Sequence, residues 1–331
     1  MNSWIWTKKT AALCLGLSII AACGGRTSQT PEEADARKDK GQRTVAAVED
    51  FDSLVSVDWL NEHLDEPDLI VLDCNVKVVF DENGPFEILN GRADYEKGHI
   101  PGAGFADLTG DLIDTESDLM FAVPDPEEFA AAMRALGVGD DSRVVLYDQM
   151  ASGWASRVWW MLRWIGFDRA AVLDGGLGAW KAAGYELTTE LPERPAGNLT
   201  VSLRPELIAI QDDVRAAIGN EAVQLVDALP EASFRGDMVM YGRPGHIPGA
   251  VNVPAMAMIG ETGRFLLDER LNEMFGLDKD SRVITYCGGG ISASATAFIM
   301  TRLGYSDVAV YTASLQEWVQ DPENPMEVVA E

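Results

Sequence analysis

The string Gly-His-Ile-Pro-Gly-Ala occurs twice, at residues 98–103 and 245–250, and each copy stands in the same succession of segments. An apolar run closing on an aspartate precedes it, LIVLD at 69–73 and VQLVD at 223–227. A strand-like run, a stretch of helical period and a further apolar run follow, at 144–147, 155–165 and 171–173 in the first half and 283–286, 292–303 and 308–310 in the second. A repeat of this length means two copies of one structural unit. Apolar strands alternating with helices require a parallel sheet covered on both faces. The expected fold is therefore α/β, with two tandem domains, each a parallel sheet flanked by helices. They occupy residues 51–190 and 200–331, joined by a Pro-rich linker over 191–199. The repeated motif reads first as a turn, its Gly and Pro steering the chain into the next strand. His99 and His246 are then turn residues before they are acids or bases, and Asp73 and Asp227 are anchors at strand ends.

The segment before residue 51 does not belong to this pattern. Lys8 and Lys9 precede an apolar run at 11–20 that is too short to span a bilayer comfortably. Ile20-Ala21-Ala22-Cys23-Gly24 follows, in the manner of a bacterial lipobox, so residues 1–22 read as a lipoprotein signal peptide and Cys23 as the lipidated mature N-terminus. The same resemblance implies, from Gly24 where an aspartate would signal retention, the periplasmic face of the outer membrane. Residues 23–50 are polar, charged and aperiodic, a flexible tether between lipid and globule. A net charge of −27 argues against nucleic acid as a partner and means that an anionic substrate needs a local basic site. The four cysteines show no metal spacing and the three histidines are dispersed, so no metal or other cofactor is expected.

The chemistry concentrates at residues 281–304, SRVITYCGGGISASATAFIMTRLG. A strand ends at Cys287, three glycines follow, and a helix begins around Ile291 and Ser292. Strand, tight loop and helix N-terminus together aim backbone N–H groups at one sulfur, which favours the thiolate and makes it a nucleophile. Three consecutive glycines cost backbone entropy unless the turn needs them. A phosphate-binding C-x5-R loop would need arginine at 293, where Ala293 stands, so phosphatase chemistry is disfavoured. In the first half Asp148 takes the place of the cysteine, and a carboxylate cannot do thiol chemistry. One half keeps the nucleophile, while the other supplies a wall of the cleft between the domains. Cys74 follows Asp73 at the carboxyl end of a first-domain strand, the end that faces the ligand crevice in such sheets. It is either an inert buried thiol or a partner able to resolve or cross-link Cys287.

The duplicated GHIPGA, the RVWWMLRWIGF and LDGGLGAW segments of the silent half and the YCGGGISA loop resemble the two-domain rhodanese superfamily of sulfurtransferases. The resemblance covers residue 51 to the C-terminus. It implies an active site between the domains and a ping-pong reaction in which Cys287 takes a sulfane sulfur from a small anionic donor and passes it, as a persulfide, to cyanide or a thiol. Gly288, Gly289, Gly290, Ile291 and Ser292 form the binding loop. That loop lacks the basic residues common in thiosulfate enzymes and is similar to the neutral loop of 3-mercaptopyruvate sulfurtransferases. Gly289, however, stands where those enzymes usually have serine, so a Ser–His–Asp relay through His99 would lack its hydroxyl. The family's donor-binding arginines correspond to Arg235 and Arg243, whose guanidinium groups suit a carboxylate or sulfonate. In the second half Thr312-Ala313 replaces the family's Asp-Gly. These departures leave open a non-catalytic module that binds or senses a sulfur compound.

Overall fold

The structure is a computed structural model and describes residues 51–79, 87–149 and 151–329. The proposed signal, Cys23 and the whole tether lie outside the described residues. The first half contains β1 (Leu54–Val55), α1 (Val57–His63), β2 (Leu69–Asp73), β3 (Val76–Val79), β4 (Glu87–Asn90), α2 (Arg92–Tyr95), β5 (Gly104–Phe105), α3 (Pro126–Ala135), β6 (Arg143–Tyr147), α4 (Gly153–Trp164), β7 (Ala170–Leu173) and α5 (Gly176–Ala182). The second contains β8 (Ile208–Ala209), α6 (Gln211–Ala217), β9 (Val223–Asp227), α7 (Glu231–Arg235), β10 (Val251–Asn252), α8 (Asp268–Phe275), β11 (Arg282–Tyr286), α9 (Ile291–Arg302), β12 (Asp307–Tyr311) and α10 (Ser314–Trp318).

Two five-stranded parallel sheets result, ordered β1-β7-β6-β2-β5 and β8-β12-β11-β9-β10, the same topology twice. β2 is buried along its whole length, as a strand covered on both faces must be. Local signals place the helices. Ser56 caps α1 by accepting the Trp59 N–H at 3.1 Å, and Asp125 caps α3, with Pro126 in the first turn where a missing N–H costs nothing. Strands and helices lie within one or two residues of the positions expected from sequence. The antiparallel hairpin β3–β4 was not expected, although Val76 and Val78 face inward in strand alternation.

The duplicated motif has one job in both halves. The Ile100 N–H donates to the Tyr147 hydroxyl at 3.3 Å, and the Ile247 N–H to the Tyr286 hydroxyl at 3.1 Å. Each tyrosine ends a central strand, one residue before Asp148 or Cys287. The motif therefore ties a peripheral turn to the strand end that presents the site. The linker is held as well: Arg194 donates to Gly102 O at 2.7 Å, Arg134 donates to Leu199 O at 2.7 Å, and a side chain at Gly197 would collide with Val138 O.

Helices α4 and α9 pack against each other and join the halves. α4 is buried almost all round, and α9 through its small residues 293–297 and then Phe298, Ile299 and Met300. Trp159 meets Phe298 edge-on at 4.9 Å. Around this seam, Phe265 N–H donates to Asp174 at 2.9 Å, and Arg302 pairs with Asp52. A two-way clasp joins Met120 to Gln316: the Met120 N–H donates to Oε1 at 3.0 Å, and Nε2 donates to Met120 O at 2.8 Å.

Candidate active site

β11 delivers Cys287 to the carboxyl edge of its sheet, and α9 starts four residues later, its N-terminal end beside the sulfur. The Gly290 N–H donates to Cys287 Sγ at 3.1 Å. Gly290 has φ of +84°, and a Cβ there would lie 2.5 Å from Thr312 O, so only glycine fits. The Cys287 N–H donates to Ser314 Oγ at 3.1 Å, and Ser314 in turn donates to Tyr311 O at 2.7 Å. Leu315 and Gln316 N–H groups donate to the carbonyls of Cys287 and Gly288 at 3.1 and 3.0 Å. The loop is thus bonded from outside at successive residues, which leaves its sulfur facing a cavity of about 600 Å³. Cys287, Gly288, Gly289, Ile291 and Ser292 line that cavity, together with Trp154 and Phe121 of the first domain and Leu229, Tyr241 and Met256 of the second.

The chain matches the rhodanese-like domain family over residues 56–183 and again over 211–321. It belongs to the rhodanese family. It is 34% identical over 282 residues to the 3-mercaptopyruvate sulfurtransferase of Escherichia coli K12, covering 83% of this chain and 98% of that protein. It is likewise 34% identical over 314 residues to thiosulfate/3-mercaptopyruvate sulfurtransferase 2 of Arabidopsis thaliana, covering 87% and 90%. The crystal structure of SseA, a 3-mercaptopyruvate sulfurtransferase from Escherichia coli, superposes with a TM-score of 0.71 at 34% identity, over 79% of this chain and 98% of that one.

Within this rhodanese frame the expected residues separate. His99 is fully buried, stacked on Tyr95, with its ring nitrogens 2.9 Å from Tyr95 O and 3.1 Å from Glu190 O. It does not line the cavity, and both its nitrogens are committed to holding a turn. Cys74 is also fully buried and absent from the lining, its thiol pushed well up by burial and by the nearby Asp73 and Asp148 carboxylates. Those are the surroundings of an inert thiol, not of a resolving partner. Arg235 donates to Asp237 at 3.2 Å on the surface. Arg243 donates to Asn324 O at 2.8 Å and Asp321 O at 3.3 Å, pinning the C-terminal segment. Neither guanidinium reaches the cavity, so the expected donor grip has no support in this geometry: one arginine is a solvated ion pair and the other a structural clasp.

Three residues at the site escaped the sequence reading. Arg157, on the silent domain's α4, is 1% exposed. It donates to Phe121 O at 2.8 Å through Nη2, while Nη1 has no hydrogen-bond partner among the described residues and points toward Gly290, 3.1 Å from where a Cβ would be. Burial pulls the guanidinium down to about 10, and the charge of Cys287 opposes that shift. Arg157 stays cationic at neutral pH, and a buried cation needs a counter-charge. The charge that acts on it is that of Cys287. Its sequence signal was an arginine set among tryptophans on a mostly apolar helix. The second residue, Tyr241, lies over the loop: a Cβ at Gly288 would be 1.8 Å from its ring carbon and hydroxyl. Burial first, then the charges of Cys287 and Asp227, push its hydroxyl up, so it remains a neutral phenol. No sequence pattern marks it. Ser314 is the third. Its φ of +55° is left-handed, unusual for a side chain, and its hydroxyl supports Cys287 from behind.

Proposed function

We propose that this chain is a sulfurtransferase in which Cys287 carries the sulfur, with 3-mercaptopyruvate preferred over thiosulfate as donor. The observation that carries the reading is the Cys287 sulfur, bonded by the Gly290 N–H, set near a buried guanidinium and open to a cleft between two rhodanese domains. In the first half-reaction the thiolate attacks the donor sulfur and a Cys287 S–S bond forms. With 3-mercaptopyruvate the C–S bond breaks and its electron pair goes to carbon, which takes a proton to give pyruvate. With thiosulfate the S–S bond breaks and the pair leaves on sulfite. In the second half-reaction a thiol or cyanide attacks the outer sulfur and the pair returns to Cys287. Thiolate and persulfide are both anions, and backbone N–H, helix N-terminus and Arg157 favour either without a side-chain base. The donor preference rests on Gly288. Tyr241 fills the space above it, so no basic side chain can project from the loop there.

The names of the relatives agree with this chemistry. The test is a donor panel with cyanide as acceptor, on the wild type and Cys287→Ser. Thiocyanate is expected from the wild type, faster with 3-mercaptopyruvate, and none from the variant. Activity surviving in the variant would refute the mechanism, and no thiocyanate from either donor would leave a non-catalytic module. We further propose that Cys23 is lipidated and holds the enzyme at the periplasmic face of the outer membrane. The Ile20-Ala21-Ala22-Cys23 sequence and the polar stretch after it support this. Incorporation of a labelled fatty acid, abolished in Cys23→Ala, is the expected result; label retained in that variant would overturn it.

A further inference from the structure

We infer that the cavity over Cys287 receives, as sulfur acceptor, a neutral or cationic small thiol with an aromatic or branched apolar body. This rests on the sulfurtransferase reading and adds the class of its second substrate. A small donor of a few heavy atoms needs only the loop, the α9 N-terminus and the buried charge of Arg157. It leaves most of a cavity of about 600 Å³ unfilled, a volume typical of sites for much larger organic ligands. The remaining wall is apolar and drawn from both domains: Phe121 and Trp154 on one side, Leu229, Met240, Met256 and Ile291 on the other. Met240 and Met256 are exposed at its mouth, and methionine adapts its shape to varied apolar partners.

Charge narrows the class further. No lysine or arginine is among the described residues lining the cavity, and the one charged side chain there is the exposed carboxylate of Glu231. The chain as a whole is strongly acidic. A small anionic donor keeps its carboxylate within reach of the α9 N-terminus and Arg157, but a larger anionic thiol such as glutathione carries its carboxylates out along the apolar wall, where Glu231 is a like charge and no cation lines the cavity among the described residues. A phenyl or branched alkyl group leaves water for a matching surface, and an ammonium group on the same thiol would face Glu231. The transfer balances without an external oxidant. R–S⁻ attacks the outer sulfur of Cys287–S–SH, an R–S–SH bond forms, the Sγ–S bond breaks, and its electron pair stays on Cys287 as thiolate.

The test charges the full chain with donor, follows the persulfide by intact mass, and discharges it with phenylmethanethiol, glutathione, reduced thioredoxin or cyanide at matched thiolate concentration. Phenylmethanethiol should discharge it about tenfold faster than glutathione, the scale on which an apolar pocket discriminates. Met256→Asp, at an exposed position, should lower the ratio of the phenylmethanethiol rate to the cyanide rate. Equal rates for phenylmethanethiol and glutathione, faster discharge by thioredoxin, or an unchanged ratio in Met256→Asp would each overturn the inference while leaving the sulfurtransferase intact. A second measurement does not depend on sulfur transfer. 2-Phenylethanol should slow alkylation of Cys287 by iodoacetamide, and phenylacetate should not. Slowing by neither, or by both alike, also overturns it. Failure of every donor to form a persulfide would count against the parent reading, while the alkylation result still judges the cavity.

Discussion

The loops that follow β6 and β11 share a frame and differ in what they enclose. Each follows a buried strand ending in a tyrosine that accepts an N–H from GHIPGA, and each leads into a twelve-residue helix. In the first domain the Asp148 carboxylate accepts the Ser152 N–H at 3.1 Å and the Ala155 N–H at 2.9 Å, so the loop folds around its own anion. In the second, Cys287 Sγ accepts the Gly290 N–H and stays open to the cavity. The supporting turns diverge in the same sense. Gly176 and Ser314 have nearly the same left-handed φ, +53° and +55°, but a Cβ at Gly176 would strike Asp148 O, whereas Ser314 has room for a hydroxyl beneath Cys287. One frame thus hosts a closed, self-satisfied anion or an open reactive one. The first copy still reaches the second loop, because its helix carries Arg157 to it.

The sharpest way to break this comparison is to make the open loop unreactive. Cys287→Ser should lower thiocyanate formation by a factor on the order of 10⁴ or more, because a hydroxyl is a poor nucleophile toward sulfane sulfur. Asp148→Cys in that background should restore nothing, and any recovery would show that the first loop is not closed. Gly288→Ala comes next. Its Cβ requires displacement of Tyr241, and turnover should fall by about a hundredfold, as for a small misplacement of a reacting group. Tyr241→Ala should partly rescue it, and a double variant no better than Gly288→Ala would sink the steric account.

Arg157→Met should slow persulfide formation by about ten- to a hundredfold, the range for losing one preorganised charge, with the circular dichroism spectrum retained. An unchanged single-turnover rate would make Arg157 purely structural. Ser314→Gly should cost several-fold in turnover while stability moves by less than about 1 kcal/mol, since relief of the left-handed φ offsets the lost hydrogen bond. The smallest effect concerns what the two halves share. Burial raises Asp73 and Asp227, each to about 6 from an ordinary 3.8. The fold therefore favours their protonated forms. That stabilisation is complete below about pH 4 and is lost as pH rises through about 6. Urea midpoints should fall between pH 4.5 and 7 by more in the wild type than in Asp73→Asn/Asp227→Asn; equal slopes would contradict the assignment.

Much of this was legible before any coordinates. The repeat stated the topology, since continuous apolar strands can form only a doubly covered sheet. Cys287 with three glycines read as a thiol held by a turn, and the structure places that sulfur at the cavity with the Gly290 N–H on it. The hairpin β3–β4 was hidden because its alternation spans only four residues per strand. Arg235 and Arg243 show what a sequence position leaves open. Their positions beside the motif are right for a donor grip, yet the direction of a guanidinium depends on what packs around it, here Asp237 and the C-terminal carbonyls.

By itself, the sequence determined two α/β domains, one copy with a cysteine before three glycines at a strand end and one copy without it, because periodicity and residue identity are local properties of the chain. Tertiary structure alone decided that Arg157 serves a loop 130 residues away in sequence, that Tyr241 occupies the space above Gly288, and that the cleft between the domains is apolar. Those facts depend on which surfaces α4 and α9 bring together, and close packing between distant segments leaves no periodic trace in either one.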